Sequence, residues 1–257
     1  MNRILFILFI SLPGFILAQK TQYSVLPNPL PDVLHQFLLS EADRLFESRR
    51  THLNAIMENP VQLKAWQDTL SARYKNWLDF PATKSPLNSV VTKRIARADV
   101  ILENIIFESR PNHHVTANFF IPKNAPQPFP AVLVVCGHTQ NGKAEKLYQS
   151  VAILLAQNGI GAILVDPFGQ GERYQLLNEE GNPATPGGTV EHTFLDYSSN
   201  LLGSDAVNFE LWDNIRALDY LESRKEVDPN RLGVTGNSGG GTQTAFLMAL
   251  DQGRTSS

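Results

Sequence analysis

The chain has 257 residues, of which 42% are hydrophobic, 18% charged and 9% aromatic, with 17 glycines and 16 prolines. That composition can bury a core and excludes a disordered or collagen-like chain. With 22 Lys+Arg against 25 Asp+Glu the formal net charge is -3 and no basic block stands out, which argues against a nucleic-acid partner and for small-molecule chemistry. The single cysteine, Cys136, excludes an intramolecular disulfide and the paired-cysteine patterns of zinc sites.

Asn2 and Arg3 precede an apolar run from Ile4 to Ile10, followed by Ser11, Leu12, the helix-breaking pair Pro13-Gly14, and Phe15 to Ala18. A short positive region, an apolar stretch, a break and a small residue read as a secretory signal over residues 1–18. A spanning helix would need about 20 uninterrupted apolar residues. No cysteine follows the run to carry a lipid, so the expectation is an exported chain, periplasmic or extracellular, with no membrane attachment after cleavage. Ile16, bulkier than the usual residue three before a cut, leaves the cleavage position open.

Residues 19–85 read as a helical N-terminal segment. Leu34, Phe37, Leu38, Ala42, Leu45 and Phe46 share one helical face, and Trp66, Leu70, Tyr74 and Leu78 repeat at four-residue steps. The polar, proline-bearing stretch from Pro81 to Pro86 reads as a connector. Residues 86–257 read as an α/β core. Ile101 to Glu108 and Val115 to Ile121 flank the turn signal Pro111-Asn112 and suggest a hairpin. Ala131 to Val135, Gly161 to Val165 and Arg231 to Thr235 are strands, the first two apolar throughout as in strands covered on both faces. Helical patterns over Ala144–Leu155 and Leu211–Leu221 lie between them, which predicts a parallel sheet with right-handed crossovers.

The stretch Gly236-Asn237-Ser238-Gly239-Gly240-Gly241 lies between the third of these strands and the apolar segment Ala245 to Leu250. This is G-x-S-x-G between strand and helix: a serine on a sharp turn, flanked at Gly236 and Gly240 by positions where side chains would strike neighbouring backbone. The helix start offers free N–H groups and a positive dipole end to an oxyanion. Cys136-Gly137-His138-Thr139-Gln140-Asn141-Gly142-Lys143 follows another strand at the carboxyl edge, where α/β sheets place ligands. There the backbone N–H of His138 complements that of Gly239, a better reading of His138 than a catalytic base, and Cys136 reads as a buried small residue. Asp166 to Arg173 ends the next strand; with Tyr174 at the third-glycine position it reads as a structural turn carrying a Glu172/Arg173 charge pair and not as a dinucleotide site. Residues 174–200 read as a long overhanging loop in which His192 is a candidate substrate contact. Asp213 and Arg216, three apart on one helix, read as structural, and the adjacent His113-His114 as solvent-facing.

From about Pro86 to Leu250 these motifs resemble the α/β-hydrolase superfamily, specifically its acetylxylan-esterase-like secreted bacterial branch. The residues that carry the resemblance are Phe107 to Pro111, Val115 to Asn118, Cys136-Gly137-His138 with Asn141-Gly142-Lys143, Asp166-Pro167 with Gly169 to Arg173, Trp212-Asp213 with Arg216 to Leu221, and Gly236 to Gly241. The resemblance implies Ser238 as nucleophile, an oxyanion hole from the backbone N–H groups of His138 and Gly239, and hydrolysis of a small-molecule or polysaccharide ester through an acyl-enzyme. Acyl transfer to water needs no cofactor or metal.

In that superfamily the triad runs serine, acid, histidine along the chain. No histidine follows Ser238, Asp251 follows the elbow too closely to be the usual acid, and the hydrophobic pattern is lost from Asp251 to Ser257. The expectation is therefore a truncated reading frame or a fragment, with a weak or dead catalyst and a bare apolar sheet edge beside the nucleophile strand. Two other readings stay open: a non-catalytic remnant or carbohydrate-binding protein on this scaffold, and a peptidase or thioesterase of the same superfamily.

Overall fold

A computed structural model describes Val25, residues 30–78 and 80–250, and a two-residue strand at 255–256. The expected signal at 1–18 and Asp251, set aside above as the triad acid, lie outside the described residues. The chain divides into two compact units, residues 1–63 and 64–257.

The first unit holds helix α1 (Val33–Ile56) and the first turn of α2 (Pro60–Leu78). Pro60 suits the opening position of a helix, where its missing N–H costs nothing, and the Asn59 side chain accepts from the Gln62 amide at 3.1 Å. The expected apolar face of α1 exists, and its Leu34, Phe37, Leu38, Leu45 and Phe46 are exposed.

The second unit is built on one sheet of β1 (Val90–Ala96), β2 (Val100–Arg110), β3 (His113–Pro122), β4 (Phe129–Val135), β5 (Gly161–Val165), β6 (Val227–Gly236) and β7 (Thr255–Ser256). The strand order is β1-β2-β3-β5-β4-β6-β7. β1 to β3 form an antiparallel meander, β3 meets β5 antiparallel, and β4 runs parallel to both β5 and β6. Helices α3 (Lys146–Gln157), α4 (Gly188–Asn200), α5 (Ala206–Ser223) and α6 (Gly239–Leu250) complete the unit.

Strand alternation sorts the core into two faces. Leu133, Val135, Ile163 and Val165 join Phe107, Phe119 and the buried sides of α5 and α6. Val134, Cys136, Ala162 and Leu164 face Tyr148, Ala152 and Ala156 of α3. Covered on both sides, β4 and β5 have no use for polar residues, which explains their uninterrupted apolar sequence. The rest of α2, from Lys64, belongs to this unit: Leu78 is fully buried and the Tyr74 ring packs against Phe246 of α6 with centroids 5.5 Å apart.

Three features depart from the sequence expectations. β1 is an added edge strand, mostly exposed, whose Lys93 and Arg94 protect the open edge and dilute the strand pattern. The stretch expected as loop over 174–200 contains α4, which follows Gly187 at φ 150° and carries Glu191 in its first turn; the double glycine obscured the helix start. The far edge of β6, expected bare, is paired in parallel by β7 at Leu232 with Thr255 and Gly233 with Ser256.

Candidate active site

Val135, Val165 and Gly236 lie level with one another at the carboxyl ends of β4, β5 and β6, so the loops after these strands emerge on one edge. Ser238 sits in the third loop with φ 54°, a left-handed conformation that costs a non-glycine residue on the order of 1–3 kcal/mol. Its neighbours explain how the turn is enforced. A Cβ at Gly236 would stand 2.4 Å from the Gly240 carbonyl oxygen, and one at Gly240 would stand 2.1 Å from that of Val135. The end of β6 and the start of α6 thus cross at a distance that only glycine permits, and Ser238 is exposed.

The loop after β4 lies against this turn: a Cβ at Gly137 would be 2.5 Å from the Asn237 carbonyl oxygen and 3.1 Å from the Ser238 Cβ. Gly137 donates its amide to the Tyr148 hydroxyl at 2.7 Å, and its carbonyl accepts from Gln170 Nε2 at 3.0 Å. Both sides of the peptide that carries the His138 N–H are therefore fixed. Among the described residues no acceptor is bonded to the amides of His138 or Gly239, and the Gly239 amide belongs to the first turn of α6, where N–H groups have no helical partner. The His138 ring rests above Gly239, whose added Cβ would be 3.0 Å from Nδ1.

Asp166 ties the loops together. Its carboxylate accepts from the amide of Lys143 at 2.7 Å, from Lys143 Nζ at 2.5 Å, from the Thr116 hydroxyl at 2.7 Å and from the Glu172 amide at 3.2 Å. Lys143 Nζ also pairs with Glu172. The charge pair expected between Glu172 and Arg173 is not formed, because adjacent side chains diverge: Arg173 instead meets Asp213 at 2.8 Å. Burial pushes the Asp213 carboxyl up, and Arg173 together with a hydrogen bond from Ser109 outweighs it and holds the group below its ordinary value. Arg216 is bonded to Asp219 and to the Ser85 carbonyl, both at 2.6 Å.

His113 is not solvent-facing: Nε2 lies 2.8 Å from Arg173 Nη2 and 3.4 Å from Asp213. Guanidinium nitrogens only donate, so toward Arg173 the Nε2 of His113 is the acceptor. The adjacent His114 is exposed. Cys136 is buried among apolar groups, which pushes its thiol well above its ordinary value and leaves it unreactive.

A second buried chain of polar groups was not legible beforehand. Asn214 donates to Gln243 Oε1 at 2.5 Å, and Gln243 Nε2, one turn into α6, donates to Glu210 Oε2 at 2.8 Å. Glu210 Oε1 has no hydrogen-bond partner and faces His192 Nε2 at 3.4 Å. Burial, reinforced by nearby Asp213, pushes the Glu210 carboxyl up to about 8. His192 Nε2 lies 2.6 Å from the Phe168 carbonyl oxygen, and its ring packs on Phe168 at 4.7 Å and on His138 at 5.2 Å. Burial holds the His192 imidazole below its ordinary value. No group of three potential metal ligands occurs among the described residues, and no described helix is long and apolar enough to cross a membrane.

Comparison with known proteins places this geometry. A family model described as acetyl xylan esterase (AXE1) matches residues 84–255. "Putative hydrolase YtaP" of Bacillus subtilis (strain 168) is 29% identical over 174 residues, 63% of this chain and 54% of that relative. Among solved structures, a "putative acetyl xylan esterase" from Bacteroides fragilis NCTC 9343 matches with a TM-score of 0.63 at 23% identity, over 76% of this chain and 52% of that one. Methylesterase BT1017 matches with a TM-score of 0.64 at 23% identity, over 79% of this chain and 42% of that one. These likenesses show the α/β-hydrolase fold, and the chain spans about half the length of the proteins it matches.

Proposed function

The chain belongs to the acetyl xylan esterase family, and we propose that Ser238 is the nucleophile of an exported serine esterase acting on acetylated plant polysaccharide. The observation that carries this reading is a serine at φ 54° held between two sterically obligatory glycines, with two unbonded amides beside it. Ser238 Oγ attacks the ester carbonyl, and the oxygen that gains charge is received by the N–H groups of His138 and Gly239 at the positive end of α6. The alcohol departs, leaving an acyl-enzyme that water cleaves. No histidine follows Ser238 among the described residues; these residues supply the nucleophile, the oxyanion donors and their framework, and the reading assigns no general base to them.

The test is acetate release from acetylated xylooligosaccharides by the natively produced protein, with peptide amides and thioesters as competing substrates. Acetyl esters should be preferred, and Ser238→Ala should cost about 10³-fold or more, as loss of a serine nucleophile does. Preference for an amide or thioester, or sugar binding without turnover, would replace this reading by another. Export is tested by the N-terminus of the secreted protein, expected near Gln19.

A further inference from the structure

His138, in the loop after β4, and His192, on α4, are far apart in sequence and meet beside the elbow with their rings tilted, the centroids 5.2 Å apart and the interplanar angle 54°. Their hydrogen-bonding roles follow from what they touch. The Phe168 oxygen can only accept, so Nε2 of His192 carries the proton and Nδ1 carries a lone pair. Among the described residues no hydrogen bond is made at Nδ1 of His192 or at either ring nitrogen of His138. The pair therefore presents unspent imidazole nitrogens beside Ser238. Charged groups around it are engaged: Glu210 with Gln243, Lys143 with Asp166 and Glu172, Arg173 with Asp213, and Glu191 with the Gln175 amide. What remains at the mouth is uncharged and polar, with exposed Asn237, Gln140 and Ser238.

We propose that the His138–His192 imidazole pair is the subsite for the alcohol side of the ester, taking a hydroxyl of a neutral sugar at the His192 Nδ1 lone pair, with Glu210 as the positioning residue behind His192. A lone pair accepts from O–H and repels a carboxylate, so the geometry selects a polyol over an acidic sugar. Glu210 joins the subsite to the nucleophile's helix, one carboxyl oxygen accepting from Gln243 of α6 and the other facing His192 of α4. The lowered basicity of His192 keeps that lone pair available near neutral pH. The proposal deepens the esterase reading and rests on it only for the identity of the alcohol.

The experiment is histidine-selective NMR of the whole chain, which has six histidines, titrated with xylotriose and separately with glucuronic acid. Xylotriose should shift the His138 and His192 ring signals together and saturably. His192→Phe should weaken binding about tenfold or more, the scale of one lost hydrogen bond to a buried group, and His138→Phe serves where that variant does not fold. Glu210→Gln should rescue what Glu210→Leu loses. Absence of shifts in both rings, unchanged affinity in a folded His192→Phe or His138→Phe variant, or tighter binding of glucuronic acid than of xylotriose would overturn the subsite. Equal affinities in Glu210→Leu and the parent would remove Glu210 from it. Reaction of Ser238 with a phosphonate is read in parallel and reports the esterase reading alone, so either can fail without the other.

Discussion

Gln170 Nε2 donates to the carbonyl oxygen of Gly137 at 3.0 Å, and that carbonyl belongs to the same peptide unit as the His138 amide. A donor at the oxygen of a peptide polarises it and strengthens its N–H as a donor. Gln170 is 1% exposed, so removing it leaves the carbonyl unsatisfied. Gln170→Ala should slow phosphonylation of Ser238 by about tenfold to a hundredfold, approaching the loss of an oxyanion donor. An unchanged rate in a folded variant would mean that the loop holds its shape without this bond.

The elbow glycines should differ sharply in tolerance. A Cβ at Gly240 would meet rigid backbone at 2.1 Å, whereas one at Gly239 would meet only the movable His138 ring at 3.0 Å. Gly240→Ala should lower stability by about 2–3 kcal/mol, the scale of overpacking, seen as a melting point lower by roughly 5–10 °C. Gly239→Ala should cost less than half of that in a thermal melt.

Asp166 gathers donors from β3, from the loop after β4 and from its own loop, and Lys143 beside it is buried. Asp166→Ala leaves a buried ammonium with only Glu172 as partner. The expected loss is about 3–5 kcal/mol, typical of breaking one side of a buried pair, measured by denaturant titration.

Glu210 gives stability a defined pH dependence. Its carboxyl is raised in the fold to about 8 from an ordinary 4.5, so the folded chain binds a proton that the unfolded chain releases across that range. Its contribution is then complete below about pH 4 and is lost as pH rises toward 8, at about 1.4 kcal/mol for each tenfold difference in proton affinity. Glu210→Gln, which cannot ionise, should be more stable than the parent at pH 8, and the difference should shrink toward pH 4.5. Melting curves at the two pH values check the sign.

The fold was legible where one face or both faces of an element are buried. The runs Ala131–Val135 and Gly161–Val165 gave β4 and β5, and the G-x-S-x-G turn gave the elbow, because both are dictated by local sterics. β1 and α4 were not legible: the edge strand is largely exposed, and α4 keeps Val190, Phe194 and Tyr197 exposed, so neither shows a clean period. At the site, Gly236, Ser238, Gly239 and Gly240 share one turn, with the His138 ring beside Gly239. Glu210, Gln243 and Asn214 were invisible because a buried polar chain is a tertiary arrangement with no spacing signature. The pairing of Arg173 was misassigned for the same reason, since Asp213 lies on a helix remote in sequence.

The most direct measurement is intact mass and peptide mapping of the natively produced protein after exposure to a serine-reactive phosphonate. The account expects a single adduct on Ser238, absent in Ser238→Ala and slowed in Gln170→Ala. An adduct that persists in Ser238→Ala, or a Ser238 that stays unmodified in the folded protein at saturating reagent, would contradict it.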